Sequence, residues 1–358
     1  MRRACLNLDS TQRVPSRAME ASGSFANAMV DALRGGEEAK AVGLIDRVTG
    51  AAHLGLCLLS ACETGHPKCT RLLLAAHADV NKAASDGGTP LIHACYNNHG
   101  DCAQLLLAAH ATVDQADSNG RTPLYAACVK GHGGCAQLLL AAHAAVNHEA
   151  SKGRTPLIAA CDKGHGDCAQ LLLAAHATVD HAESNGVTPL YTACCGGHGG
   201  CARLLLAAHA TVDQAASNGF TPLYAACGKG VGDCVQLLLA AHAAVDQAVN
   251  NGRTPLIHAC DKGHGDCVRL LLAVHAVVDQ ADSNGRTPLI HACDKGHGDC
   301  AQLLLAAHAV VDQADSNGRT PLIHACDKGH GDCVRLLLAA HAVVDQEDSG
   351  GVTPLYVA

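Results

Sequence analysis

Two residue types in this chain could do chemistry, and both recur at fixed spacing. The 358 residues include 21 cysteines and 24 histidines. Nine cysteines (Cys62, Cys95, Cys128, Cys161, Cys194, Cys227, Cys260, Cys293, Cys326) share one phase, and nine more, from Cys69 to Cys333, share another. Cys260, His264 and Cys267 form a C-x3-H-x2-C run with His275 nearby. That spacing raises a Cys/His metal-binding array, and a thiol near an imidazole could supply a nucleophile and its base. Zinc ligands, however, must converge on one point about 2.0–2.3 Å from the ion. A catalytic site is singular, whereas these residues recur in unit after unit. The chain also lacks a G-x-x-x-x-G-K-[ST] loop, H-E-x-x-H and G-x-S-x-G. The expectation is a chain that is no enzyme and carries no cofactor or metal, with the Cys/His-rich metal-binding array as the alternative.

What positions these residues is a repeat. Thr-Pro-Leu begins at Thr89, Thr122, Thr155, Thr188, Thr221, Thr254, Thr287, Thr320 and Thr353, each 33 residues after the last. Such a period means stacked supersecondary units. In the unit Asn251 to Ser283, Thr254 is a helix N-cap and Pro255 occupies the first helical position, where its missing N–H costs nothing. Leu256, Ala259 and Cys260 make one apolar face, and Gly263 supplies the left-handed stop. Asp266 sits in the first turn of a second helix whose expected buried stripe is Cys267, Leu270, Leu271 and Val274. The run Asp282 to Arg286, with Asn284-Gly285, signals a hairpin turn. Each unit therefore reads helix, turn, helix, β-hairpin.

The period and the Thr-Pro-Leu start resemble the ankyrin repeat, and the resemblance covers about 300 of the 358 residues. It implies an all-α repeat solenoid, an ankyrin array of helix-turn-helix units with β-hairpin loops. Two departures stand out. After the second helix, where the family usually has Gly, this chain has His77, His110, His143, His176, His209, His242, His275, His308 and His341. Histidine is enriched among non-glycine residues at positive φ, and a helix C-terminus favours a cation. The histidine that usually follows Thr-Pro-Leu is replaced by Ile92, Ile158, Ile257, Ile290 and Ile323 or by Tyr125, Tyr191, Tyr224 and Tyr356. A second histidine phase, His66 to His330, matches the family's Gly-His turn, which implies hydrogen bonds between neighbouring repeats.

Residues 1–23 read as a disordered tail without an apolar secretion segment, 24–52 as a degenerate capping repeat, 53–349 as nine ankyrin repeats and 350–358 as the truncated start of another, as in a fragment of a longer protein. Net charge is −8, aromatic content is 2 %, and no Lys/Arg cluster occurs, which disfavours nucleic acid. No apolar run reaches the roughly 20 residues of a membrane span. Cysteines on apolar stripes read as small buried hydrophobes, and so many unpaired thiols imply cytoplasm or nucleus. The chain is expected to be a monomer.

Core phases scarcely change along the array, while the hairpin residue before each Thr and two first-helix phases vary. In ankyrin proteins those positions line a concave groove that grips another protein. The resemblance thus implies a protein-protein interaction scaffold whose candidate partner-binding residues are Arg154, Val187, Thr192, Cys195, Phe220, Arg253, His258, Asp261, Arg286, His291 and Asp294. Neutral drift on a solvated face is the competing account of the variation. The centre is expected at 185–250, where Val187, Cys195, Gly196, Phe220 and Gly228 displace charge and Phe220 is expected to point from its hairpin into the groove as an apolar anchor.

Overall fold

The computed structural model describes residues 17–358. They fall into two compact units, one of residues up to 127 together with 134–144, the other of 128–133 together with 145–358. Among the described residues no helix is long and apolar enough to cross a membrane.

The first unit opens with helices Arg17–Arg34 and Glu38–Leu44, which pack with Ala51–Thr64 and Pro67–Ala75. Met29, Leu33 and Leu58 fill its core. The tail expected over 1–23 lies outside the described residues as far as 16. Residues 17–23, however, are helical, because Ser22 is buried and exchanges hydrogen bonds with the backbone of Thr49. The regular helix pair Pro90–Tyr96 and Gly100–Ala108 follows.

The second unit repeats one design. Thr254 Oγ1 accepts the Ile257 N–H at 3.2 Å and Pro255, which has no N–H, is the first helical residue, so Pro255–Lys262 starts with fewer orphaned donors. Gly263 ends it in the left-handed region, at φ 75°. Gly265–Ala273 then buries Cys267, Val268 and Leu271. The expected stripe is shifted: Leu270 is half-buried and Val274 is 41 % exposed, because the helix stops at Ala273 and Val274 is its cap. The nine histidines that replace Gly after the second helices all adopt φ of 60–64°, in agreement with the expectation from side-chain chemistry. The loops are four-residue turns closed by two backbone bonds, such as Asp282 N–H to Arg286 O (3.0 Å) and Gly285 N–H to Asp282 O (2.9 Å). Two bonds are too few to propagate a ladder, and only Ala150–Arg154 forms an isolated bridge among the described residues.

Hydrogen bonds between successive repeats hold the stack of the second unit in register. Turn serines donate N–H to the preceding turn, as Ser283 does to Asn251 O at 2.9 Å. Gly252 permits this approach, since a Cβ there would lie 2.8 Å from that serine nitrogen. Aspartates after the second helices accept N–H groups from the next repeat, as Asp246 Oδ1 does from Val277 at 3.0 Å. The Gly-His-turn histidines reach back to carbonyls, as His198 Nε2 does to Asp162 O at 3.1 Å. The inter-repeat role implied for that phase is what the structure shows.

Candidate functional site

In the second unit each turn tip and the first helix that follows it bring four side chains together across two adjacent repeats. The fullest example contains Arg253, Asp261, Asp282 and His291, spaced 8, 29 and 38 residues from the arginine. Arg253 Nη2 donates to Asp261 Oδ1 and to His291 Nδ1, both at 3.1 Å. Arginine carries no acceptor, so Nδ1 must be the accepting nitrogen, and His291 is the neutral tautomer that donates from Nε2 to Asp282 Oδ2 at 3.0 Å. Asp282 Oδ1 also accepts the N–H groups of Asn284 (2.9 Å) and Arg286 (3.1 Å), so one carboxylate both closes its turn and clamps the next helix. Burial lowers the pKa of His291 against the pull of Asp282. Burial alone would raise Asp282, but hydrogen bonds from Asn284, His291 and Arg286 outweigh it and hold the carboxyl below its usual range. A similar cell holds His324, whose Nε2 donates to Asp315 at 3.1 Å while Arg286 lies 3.6 Å from Asp315 and 3.8 Å from Asp294. At Arg154 the cell is Asp162 (3.4 Å) and Glu183 (2.8 Å). Charge is thus neutralised inside the wall.

Two consecutive cells are built differently. At the same spacings as Arg253, Asp261, Asp282 and His291 stand Phe220, Gly228, Val249 and His258. Freed from a carboxylate, His258 stacks on Tyr224 with ring centroids 4.2 Å apart, and its Nδ1 meets Tyr224 O at 3.3 Å. Phe220 covers Tyr224 at 4.6 Å. His258 lies where an aspartate would be: a Cβ on Gly228 would fall 2.1 Å from His258 Cε1. Burial pushes His258 down to about 4. The preceding cell is Val187, Cys195, Ala216 and Ala225. Beside it opens a cavity of about 370 Å³, lined among others by Arg154, Glu183, Val187, Tyr191, Cys195 and Lys229.

The sequence-derived site residues therefore divide. Val187, Cys195, Phe220, His258, Arg154, Arg253 and Arg286 are half-buried along this wall. Thr192 (9 % exposed), Asp261 (9 %), Asp294 (8 %) and His291 (2 %) are buried, contrary to a role in direct contact, because each is consumed by the cells or by its own helix. Phe220 does not project freely, since it packs on Tyr224. Sequence reading missed Asp282, Asp315, Glu183, Tyr224 and Lys229. Within the second unit the available signal was that the first turn residue is acidic 29 positions after each arginine and apolar 29 positions after Val187 and Phe220.

The cysteines pair thiol to thiol across repeats 40 residues apart, Cys62 with Cys102 and Cys95 with Cys135 in the first unit, and Cys161 with Cys201 through Cys293 with Cys333 in the second. The partner thiol and burial raise the first-helix member, as at Cys161 and Cys293. Cys260 and Cys267 point into the core while His264 Nε2 is engaged with Gly228 O at 3.3 Å, so the C-x3-H-x2-C run does not converge. Among the described residues no group of three or more potential ligands forms a metal site.

A family model described as ankyrin repeats (3 copies) matches in overlapping segments that together run from 58 to 358. The crystal structure of the human ASB11 ankyrin repeat domain is similar, with a TM-score of 0.57 and 30% identity over 62% of this chain and 98% of that one. No curated protein sequence matches.

Proposed function

Because the chain belongs to the ankyrin-repeat family, generally a protein-interaction module, we propose that it is a non-catalytic scaffold that grips another protein along the wall of turn tips and first helices in its second unit. One observation carries this reading. Between cells whose charges are satisfied internally, the wall presents an apolar stretch, Val187, Cys195 and Phe220, next to a cavity. Interfaces concentrate their energy in such an apolar centre with a polar rim, here Arg154 on one side and Arg253 on the other. The reading takes the chain to act as a monomer in cytoplasm or nucleus, the compartments that suit free thiols.

Affinity capture with the full chain, followed by titration of the purified binder against variants, tests it. Phe220→Ala is expected to weaken binding by about 2 kcal/mol. Arg319→Ala, whose arginine is tied to Asp327 and Asp348 at 3.5 Å each, is expected to change it far less. Equal small effects at both positions would move the binding centre elsewhere.

A further inference from the structure

The cavity beside Val187 contains a lysine at a phase where four other repeats have theirs paired. Lys163, Lys262, Lys295 and Lys328 each pair with the aspartate just before them, at 3.0, 3.2, 3.1 and 3.0 Å. Lys229 occupies the same phase, is exposed and lines the cavity, but it follows Gly228. It has no ion-pair partner among the described residues. The missing carboxylate cannot simply be restored, because the His258 ring fills the space next to Gly228. Across the cavity Arg154 is already held by Asp162 and Glu183. The site thus offers an apolar floor of Val187, Tyr191 and Cys195 with, at its edge, one exposed ammonium that has no ion-pair partner among the described residues.

Resting on the protein-binding reading, we propose that this cavity takes a peptide segment of the partner in which an apolar side chain is followed within a residue or two by Asp or Glu. The apolar side chain lies against Val187, Tyr191 and Cys195, and the carboxylate supplies Lys229 with the counter-charge that Asp261 gives to Lys262. A polyanion such as nucleic acid fits poorly, since Asp162 and Glu183 face the same cavity and a single lysine cannot track a phosphate chain.

Selection of phage-displayed random dodecapeptides on the full chain supplies the probe, and fluorescence anisotropy of the recovered peptides supplies the affinity. Enrichment of an apolar residue next to Asp or Glu is expected. Lys229→Glu should weaken those peptides about tenfold at low salt, about 1.4 kcal/mol, through loss of an attraction and gain of a repulsion. Exchanging the peptide's acid for lysine should restore binding to the Lys229→Glu chain, whereas Lys295→Glu should leave the affinity unchanged. Peptides that depend on Phe220 or Tyr191 but are indifferent to Lys229→Glu would overturn this inference and leave the protein-binding reading standing. A selection that yields no peptide dependent on any of these residues would overturn both. Circular dichroism of each variant separates lost binding from lost fold.

Discussion

Replacing Asp282 by valine, the residue that stands one repeat earlier as Val249, should be far more costly than that natural precedent suggests. Asp282 is 8 % exposed and serves three donors: the His291 ring, the Asn284 N–H and the Arg286 N–H. Removing it leaves the buried His291 Nε2–H unsatisfied, at about 1–3 kcal/mol, and removes one of the two carboxylates near Arg253. Hydrogen bonds to a charged group contribute about 1.5–3 kcal/mol each, and the losses at His291, Asn284 and Arg286 overlap rather than add. The expected loss for Asp282→Val is therefore about 3–5 kcal/mol. Converting the whole cell to the Phe220 pattern, with Arg253→Phe, Ile257→Tyr, Asp261→Gly and Asp282→Val together, should cost only about 1 kcal/mol, mainly the propensity of glycine in a helix. In that variant His291 can stack on the new tyrosine, and Asn284 can accept the Arg286 N–H as Asn251 accepts that of Arg253 at 3.2 Å. The assay is native-state hydrogen exchange, read as the opening free energy of amides in the helix Pro288–Lys295. A single substitution costing under about 1 kcal/mol, or a fourfold variant as damaged as the single one, would refute the idea that the cell acts as a unit.

Other expectations follow from the same structure. Leu205, fully buried, should cost about 2–5 kcal/mol on truncation to alanine, with hydrogen exchange accelerating in Gly199–Ala207 and its neighbours while amides around Leu304 stay protected; acceleration everywhere would contradict nearest-neighbour stability. Among the described cysteines, thiol labelling of the native protein should reach half-buried Cys195 and Cys326 first and the buried ones only in denaturant, and bound partner should shield Cys195; rapid reaction of the buried set would contradict the core packing. His258 has a folded pKa of about 4 against an ordinary 6.5, so between those values the unfolded chain binds a proton that the folded chain refuses, and stability falls as pH drops below 6.5. At pH 5 the full shift amounts to about 2 kcal/mol, and partial exposure reduces this to about 1 kcal/mol; His258→Phe should flatten that part of the urea-derived stability profile, and an unchanged slope would contradict it.

Much of the fold could be read from the residues because its determinants are local. A threonine cap followed by proline, a glycine stop and a histidine tolerant of positive φ each act within a few positions, and all appear where the repeat places them. The wall was legible in part. Arg253, Asp261 and His291 lie on phases that visibly vary, but the acid that joins them, Asp282, sits in a turn whose Asp-Ser-Asn-Gly composition is already explained by turn chemistry. Its second role depends on a helix one repeat away from Arg253, and no local pattern reports that distance. Val274 was misplaced for the opposite reason: helical periodicity extended to it, but the helix ends one residue earlier and leaves it facing solvent.

The cells also bear on whether the variable wall reflects drift. Independent replacements would scatter, each leaving a neutral imidazole unsatisfied at about 1–3 kcal/mol or a buried carboxylate unpaired at about 3–5 kcal/mol, a large share of the 5–15 kcal/mol that holds a typical domain. The two apolar cells are not scattered. Phe220, Gly228 and Val249 come from two repeats and stand together where the next cell has an arginine and two aspartates, with the histidine kept, and the His258 ring lies where a Cβ on Gly228 would clash. The neighbouring set, Val187, Cys195, Ala216 and Ala225, likewise contains no charged member. Within the second unit the change has sharp edges, Arg154 before it and Arg253 after it. A binding partner would therefore meet the apolar stretch as one window, and substitutions inside it should lower affinity together, whereas changes in the polar cells on either side should act first on stability.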